Sequence, residues 1–175
     1  MSKKITDLAR GLFVSAEDFR LAYEALTLLP DSDQQTVRTL APQVVCATFA
    51  IELYMKCILV DAGSSAVPRK HELLFLYQQI PKAARAKVVR RWRTELKNWK
   101  EFDACIDLKL SLESILGDIN DAFDKWRYRF EYSKKELRDA RFTLIHATLH
   151  LFLTERHPEW VDPDHTYFQA TFPAR

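Results

Sequence analysis

Two charged side chains lie inside the most apolar stretch of this chain. Glu52 and Lys56 are four residues apart in residues 41–60, which carry no other charge. On a helix this spacing brings a carboxylate beside an ammonium group. They could form an ion pair of about 0.3–0.5 kcal/mol on a partly exposed stripe, or a semi-buried polar cluster completed by a later helix. The partners expected in the second case are Arg127, Tyr128 and Glu131.

A histidine follows where the next helical pattern starts. His71 comes directly after Arg69 and Lys70, at the end of a loop that contains Gly63. Its imidazole could contact an anionic ligand, or it could cap the helix that follows. We group His71 with the polar cluster of Glu52 and Lys56.

An arginine and two histidines lie on the last predicted helix. Arg141 and His146 could cleave a phosphodiester bond, since histidine exchanges protons near neutral pH and arginine stabilises developing phosphorane charge. A straight helix separates these two side chains by about 140°, and a dimer could bring two such pairs into one cleft. Alternatively, His146 and His150 could bind a metal with Asp139, or their polar strip could be solvated or a dimer surface.

A basic helix is predicted for Lys82–Lys100. Seven of its cations spread over one half of the helical wheel, whereas Trp92 and Trp99 fall on the apolar half. The basic half could neutralise several phosphates of RNA, or it could be a solvated surface balanced by acids such as Glu113 and Asp118. The cations that we predict to bind RNA are Lys87, Arg90, Arg91, Arg93 and Lys97.

Composition favours a helical fold. The 175 residues include only three glycines, whereas strand-rich folds use glycine in tight turns. We predict an all-α protein, an antiparallel up-and-down bundle of five to six helices in one domain over residues 1–160. Residues 161–175 are predicted to form an irregular tail packed on that domain. Capping patterns and apolar periodicity place the helices at 15–29, 42–61, 71–80, 82–100, 108–126 and 133–156.

Several protein classes are disfavoured. Residues 41–60 are long enough to span a membrane, but Glu52 and Lys56 would each cost about 2.5–3.5 kcal/mol at the bilayer centre. The three cysteines form no CxxC pair and no leader segment precedes the first helix, so we expect a reduced, cytoplasmic protein. Motifs typical of nucleotide hydrolysis, zincin proteases and zinc fingers do not occur. We therefore expect no metal and no cofactor.

Residues 41–150 resemble the HEPN domain family of prokaryotic toxin–antitoxin, phage-defence and RNA-processing systems. The resemblance rests on the helix 52–56 with sequence Glu-Leu-Tyr-Met-Lys, on the Gly63 loop leading to His71-Glu72-Leu73, and on residues 122–131 with Ala-Phe and Trp-Arg-Tyr. It implies an up-and-down bundle that dimerises and, in active members, metal-independent ribonuclease activity. The family's catalytic motif is an arginine, usually followed by a polar residue, with a histidine five to seven positions on. Arg141 and His146 match this spacing, although Phe142 stands at the polar position.

Together these observations predict a cytoplasmic HEPN-like protein that binds RNA, a nucleotide or another polyanion, as a homodimer. If it is an enzyme, we expect an endoribonuclease of a toxin or defence system, with an antitoxin or regulatory protein as a further candidate partner. The alternative is a non-catalytic helical interaction module, in which the polar cluster only stabilises the bundle.

Overall fold

The computed structural model of the chain describes residues 3–28, 33–64, 66–100, 109–120 and 140–161. In these ranges the chain forms α-helices and no strand. The helices are α1 (Lys3–Thr27), α2 (Asp33–Asp61), α3 (Leu73–Gln79), α4 (Lys82–Lys100), α5 (Leu112–Asp118) and α6 (Ala140–Arg156). A short 3₁₀ turn, Pro158–Trp160, follows α6. The predicted all-α helical bundle is confirmed.

Helix α2 lies at the centre of the bundle. It packs against α1, α3 and α6, and it buries apolar side chains such as Ile51, Met55 and Ile58. Thr39–Asp61 is long and apolar enough to cross a bilayer, but its most apolar stretch is 72% buried within the bundle. A core helix meets the same criteria of length and composition.

The first two helices run antiparallel along most of their length. Near one end, the Cys57 thiol of α2 donates a hydrogen bond to the Ala9 carbonyl of α1 (3.2 Å). Near the other end, the Gln43 amide donates to the Leu26 carbonyl (3.0 Å). As residue numbers rise along α1, those of its partners on α2 fall, which defines the antiparallel pair.

Helix α6 runs parallel to α2 and antiparallel to α1. His146 of α6 contacts the Ala47 carbonyl of α2, and ten residues later Arg156 contacts Asp61. Tyr23 of α1 contacts Thr143 near the start of α6, and Glu17 contacts His150 about two turns later, so residue numbers run in opposite directions along these two helices. Helix α6 therefore shares an interface with both α1 and α2, and its other side packs on α4.

Two predicted helix starts are wrong. Helix α1 begins at Lys3, and Ser15 lies within it, because the apolar pattern continues upstream through the buried Ala9 and Phe13. Helix α2 begins at Asp33, with Pro42 in its interior. A proline removes one backbone hydrogen bond, and Pro42 lies on an exposed part of the helix, where water can reach the backbone.

The remaining boundaries agree more closely. Helix α4 has the predicted bounds, and α3 is shorter than the predicted 71–80. The predicted helix 108–126 is too long: residues 109–111 are not helical, α5 spans Leu112–Asp118, and a turn follows at residues 119–120. Residues 121–126 lie outside the described residues. The predicted start of the last helix at 133, and the tail beyond residue 161, also lie outside them.

Candidate functional site

The ion pair of Glu52 and Lys56 is buried. The Lys56 ammonium lies 2.7 Å from Glu52 Oε1, and both side chains are 8% exposed. The interpretation of a partly exposed pair is therefore wrong. Helix α3 packs against α2, and Ile119 and Asn120, which follow α5, line a cleft together with Glu52. A pair at this depth has a larger structural role, because removal of one partner leaves an uncompensated charge in the bundle.

His71 joins this buried pair from the surface. Its Nδ1 lies 3.0 and 3.1 Å from the two carboxylate oxygens of Glu52, and its side chain is 63% exposed. The residue at the helix cap is Glu72, which makes no side-chain capping bond, so His71 does not act as the cap of α3. We name Glu52, Lys56 and His71 the polar cluster. The predicted partners Arg127, Tyr128 and Glu131 lie outside the described residues.

A small cleft lies beside the polar cluster. It encloses about 10 Å³, which is about the space of one water molecule. Asn120, after the end of α5, accepts a hydrogen bond from the Leu74 backbone N–H (2.9 Å) and so connects α5 to the start of α3. The residues that line the cleft are Thr48, Phe49, Glu52, His71, Leu73, Ile119 and Asn120.

A second polar network lies between α1, α2 and α6. The Glu17 carboxylate accepts hydrogen bonds from the Tyr54 hydroxyl and from Arg20, and it lies 2.7 Å from His150 Nδ1. Arg20 is 1% exposed and also pairs with Glu24 at 2.7 Å. We name these five residues the Glu17 network. It joins three helices through one carboxylate.

The network changes the acidity of its own members. Burial by itself raises the pKa of the Glu17 carboxyl, but His150 and then Arg20 outweigh burial and lower that pKa from 4.5 to about 2. Burial raises the pKa of the Tyr54 phenol well above its ordinary value, so this hydroxyl stays a donor to the carboxylate. At neutral pH the Glu17 carboxyl is thus ionised and accepts a hydrogen bond from a neutral Tyr54 hydroxyl.

Helix α6 directs its two predicted catalytic residues to different places. His146 is 1% exposed, and its Nε2 donates to the Ala47 carbonyl at 2.9 Å. The Arg141 guanidinium is partly exposed and pairs with Asp118 at 3.3 Å. The 140° offset expected for a straight helix agrees with this arrangement. The catalytic role of Arg141 and His146 stays a prediction.

The polar strip of α6 faces the protein interior. Thr143 contacts Tyr23, and His150 contacts Glu17, so α1 covers the strip that we expected to be solvated or a dimer surface. The interpretation of a solvated strip is wrong. Within the described ranges no three His, Cys, Asp or Glu side chains are grouped to hold a metal ion, and Asp139 lies outside those ranges.

Burial gives His146 a defined effect on stability. Desolvation lowers its pKa from 6.5 to about 4, against the opposing hydrogen bond to Ala47, so the folded protein holds a neutral imidazole at pH 7. The unfolded chain binds the proton more readily, and acidification therefore favours unfolding. Between pH 7 and pH 5 we expect the free energy of unfolding to fall by about 2 kcal/mol from this residue.

Urea unfolding at pH 7, 6 and 5 measures this loss. The His146→Gln variant is the control, because glutamine keeps an N–H donor at the Nε2 position and does not titrate in this range. Between pH 6.5 and pH 5 its stability should fall less than that of the wild type, by about 1 kcal/mol per pH unit. Equal slopes for the two proteins would contradict the assignment.

Sequence reasoning did not identify the Glu17 network. Its signal is the spacing of Glu17, Arg20 and Glu24, where an arginine sits three and four residues from two acids. Arg20 also lies on the buried side of α1 with Ala16 and Tyr23. An arginine at such a position needs partners inside the protein.

A basic groove runs between α4 and α6. Its volume is about 310 Å³, and it is lined by four cations and one carboxylate among the side chains of both helices. The lining residues are Lys87, Arg90, Arg91 and Thr94 of α4 and Phe152, Glu155 and Arg156 of α6. We name this feature the basic groove.

The cations of the basic groove differ in their partners. Arg91 pairs with Glu95 (3.0 Å) and Glu155 (2.6 Å), and Arg156 pairs with Asp61 (2.8 Å). Lys87 and Arg90 are exposed, and no acid in the described ranges lies within ion-pair distance of either. Two cations of the groove are thus held in place, and two are available to a ligand.

The predicted RNA-binding residues fall into two groups. Lys87, Arg90 and Arg91 line the basic groove, whereas Arg93 and Lys97 are exposed on α4 outside it. The acids proposed to balance this face contact other residues, since Glu113 lies near Gln78 and Asp118 pairs with Arg141.

The apolar side of α4 anchors this face. Trp92 is buried, and its indole N–H donates to the Leu110 carbonyl at 3.0 Å. Trp99 also packs against the core. As the sequence predicted, neither ring is placed as an exposed stacking surface for bases.

The chain was compared with other proteins at three levels. Scans of protein-family models, of curated proteins and of solved structures found no match.

Proposed function

We propose that this protein binds RNA or a similar polyanion in the basic groove and along the exposed face of α4. The observation that carries the proposal is the groove itself, where four cations from two helices surround a cavity with a single carboxylate. The two cations already held by Glu95, Glu155 and Asp61 define the shape of the groove. Lys87 and Arg90 supply charge that no acid of the described ranges pairs with.

The chemistry of the groove suits phosphate more than protein carboxylates. Guanidinium groups present several N–H donors in a plane and bind phosphate oxygens through two of them. A row of cations on one helix, continued outside the groove by Arg93 and Lys97, matches the repeated charge of a nucleic acid strand. A single small anion would engage only part of this surface.

We propose a HEPN-like, cytoplasmic homodimer of a prokaryotic toxin, defence or stress system, with a regulatory protein as a candidate partner. The buried position of His146 favours the binding function over cleavage by Arg141 and His146, because the Nε2 that would exchange the proton donates to Ala47 instead.

Removal of Lys87 and Arg90 from the groove should weaken RNA binding. For the Lys87→Gln/Arg90→Gln double variant we expect the Kd for a fluorescent single-stranded RNA to rise about tenfold, roughly 1.4 kcal/mol. The slope of log Kd against log salt concentration should fall by about one for each lost phosphate contact. Fluorescence anisotropy at several salt concentrations measures both quantities.

A matched variant controls for total charge. Lys4→Gln/Arg10→Gln removes two exposed cations from α1, and it should leave both the Kd and the salt slope nearly unchanged. Equal losses in the two double variants would show unspecific attraction to a basic protein. A wild type that does not retain RNA at low salt would contradict the proposal.

A further inference from the structure

The acids that pair with cations of the basic groove differ in burial. Within the described ranges, Asp61 pairs with Arg156, and its side chain is 5% exposed. Glu95 pairs with Arg91, and its side chain is 8% exposed. Glu155 also pairs with Arg91, at 2.6 Å, but its side chain is 58% exposed. Glu155 can therefore leave its cation without opening the packed bundle, whereas the two buried acids cannot.

The two acids that hold Arg91 have different roles. Arg91 Nη1 donates a hydrogen bond to Oε1 of Glu155. Oε1 of Glu95 lies 3.0 Å from Arg91 Nη2 but makes no hydrogen bond in the described ranges, so Glu95 balances the charge of the guanidinium from the buried side. Arg91 and Glu155 both line the basic groove. An exposed carboxylate thus occupies a donor that faces the space for a ligand.

Carboxylate and phosphate oxygens compete for the same kind of donor. A guanidinium N–H group binds either of them through a charge-assisted hydrogen bond. An ion pair with an exposed side chain is weak, so a phosphate oxygen can replace Oε1 of Glu155 at little cost. A polyanion also contacts Lys87 and Arg90 in the same groove, and the described carboxylates pair with neither of these cations.

We propose that Glu155 is an internal competitor of phosphate for Arg91 in the basic groove. In the free protein Glu155 occupies Nη1 of Arg91. When RNA binds, a backbone phosphate takes this donor, and the Glu155 side chain turns to the solvent. Glu95 remains in place and keeps the guanidinium in position. Glu155 thereby sets the affinity of the groove, and the inference rests on the proposed function because RNA supplies the phosphate.

Glu155→Gln should tighten RNA binding. Glutamine keeps the length of the side chain but removes the charge that holds Arg91. In fluorescence anisotropy with a single-stranded RNA, we expect a Kd about fivefold lower than that of the wild type. Glu113→Gln is the matched control, because it removes one exposed acid of α5 that does not line the groove. Its Kd should equal that of the wild type.

Glu155→Asp separates competition for Arg91 from simple repulsion of RNA. Aspartate keeps the negative charge at this position of α6, but its side chain is one methylene shorter, so the 2.6 Å contact with Arg91 is lost. We expect the Kd to fall about threefold. If Glu155→Asp binds RNA like the wild type while Glu155→Gln binds it more tightly, charge alone is responsible and the inference is wrong.

A background without the guanidinium provides a second test. Arg91→Gln/Glu95→Gln removes Arg91 together with the buried acid that balances it, so no buried charge is left uncompensated. In this background Glu155→Gln should leave the Kd unchanged, because the donor for which Glu155 competes is absent. An equal gain in affinity in both backgrounds would contradict the inference. Urea unfolding compares the stability of the two backgrounds, and the aspartate variant does not depend on either of them.

The measurements distinguish failure of this inference from failure of the proposed function. The wild type can bind RNA, and Lys87→Gln/Arg90→Gln can weaken it, while both Glu155 variants keep the Kd of the wild type. That result would overturn the inference and leave the proposed function in place. A wild type that does not bind RNA at low salt would remove both.

Discussion

Replacement of Arg20 by alanine should lower the free energy of unfolding by about 3–5 kcal/mol. The Arg20 guanidinium is almost fully buried and pairs with both Glu17 and Glu24. Without it, two carboxylates remain close together on α1, and Glu17 also loses one of the groups that keep its pKa near 2. Urea unfolding at pH 7 measures the difference between the variant and the wild type.

Arg10→Ala is the matched control for this experiment. Arg10 lies on the same helix and is exposed, so its removal tests the effect of charge and helix propensity without burial. We expect a change within about 0.5 kcal/mol. A loss below 1 kcal/mol for Arg20→Ala would mean that water replaces the guanidinium at little cost, and the Glu17 network would then not stabilise the bundle.

Replacement of Glu52 by alanine should have an effect of similar size. Lys56 would keep its charge in the buried polar cluster with no carboxylate beside it, at a cost of about 3–5 kcal/mol. Glu72→Ala is the matched control, since that acid is 54% exposed at the start of α3. Urea unfolding at pH 7 compares both variants with the wild type.

A double variant tests the physical reason for this loss. Glu52→Leu/Lys56→Met removes both charges and restores apolar volume, so it should recover much of the stability lost in Glu52→Ala. If the double variant is no more stable than Glu52→Ala, the loss comes from packing or from the contact with His71 instead of from an unpaired ammonium.

Much of the fold follows from local patterns. The scarcity of glycine and the helical spacing of apolar residues predict an all-α bundle, and the bounds of α4 are correct because Pro81 precedes it and its apolar and basic halves are distinct. The starts of α1 and α2 are wrong because Ser15 and Pro42 are local signals. A serine that could cap a helix, or a proline, marks the start of a helix only where packing against the rest of the protein does not extend the helix further upstream.

Ion pairs within one helix are also predictable from local sequence. The i,i+4 spacing of Glu52 and Lys56 predicts their contact, and the structure confirms it at 2.7 Å. The partners of a charge from other helices are not predictable in this way. The contacts of Glu17 with Tyr54 and His150 join residues 37 and 133 positions apart, and no local spacing encodes them.

The amino-acid sequence alone determined the helical class, the central apolar helix and the grouping of cations on one half of α4. Only the tertiary structure decided that α1 covers His146, that His71 stays exposed beside a buried Glu52, and that α6 turns part of the basic half of α4 into a groove. The physical reason is that sequence periodicity specifies which residues share a face of a helix, whereas the packing of neighbouring helices decides which face is removed from water.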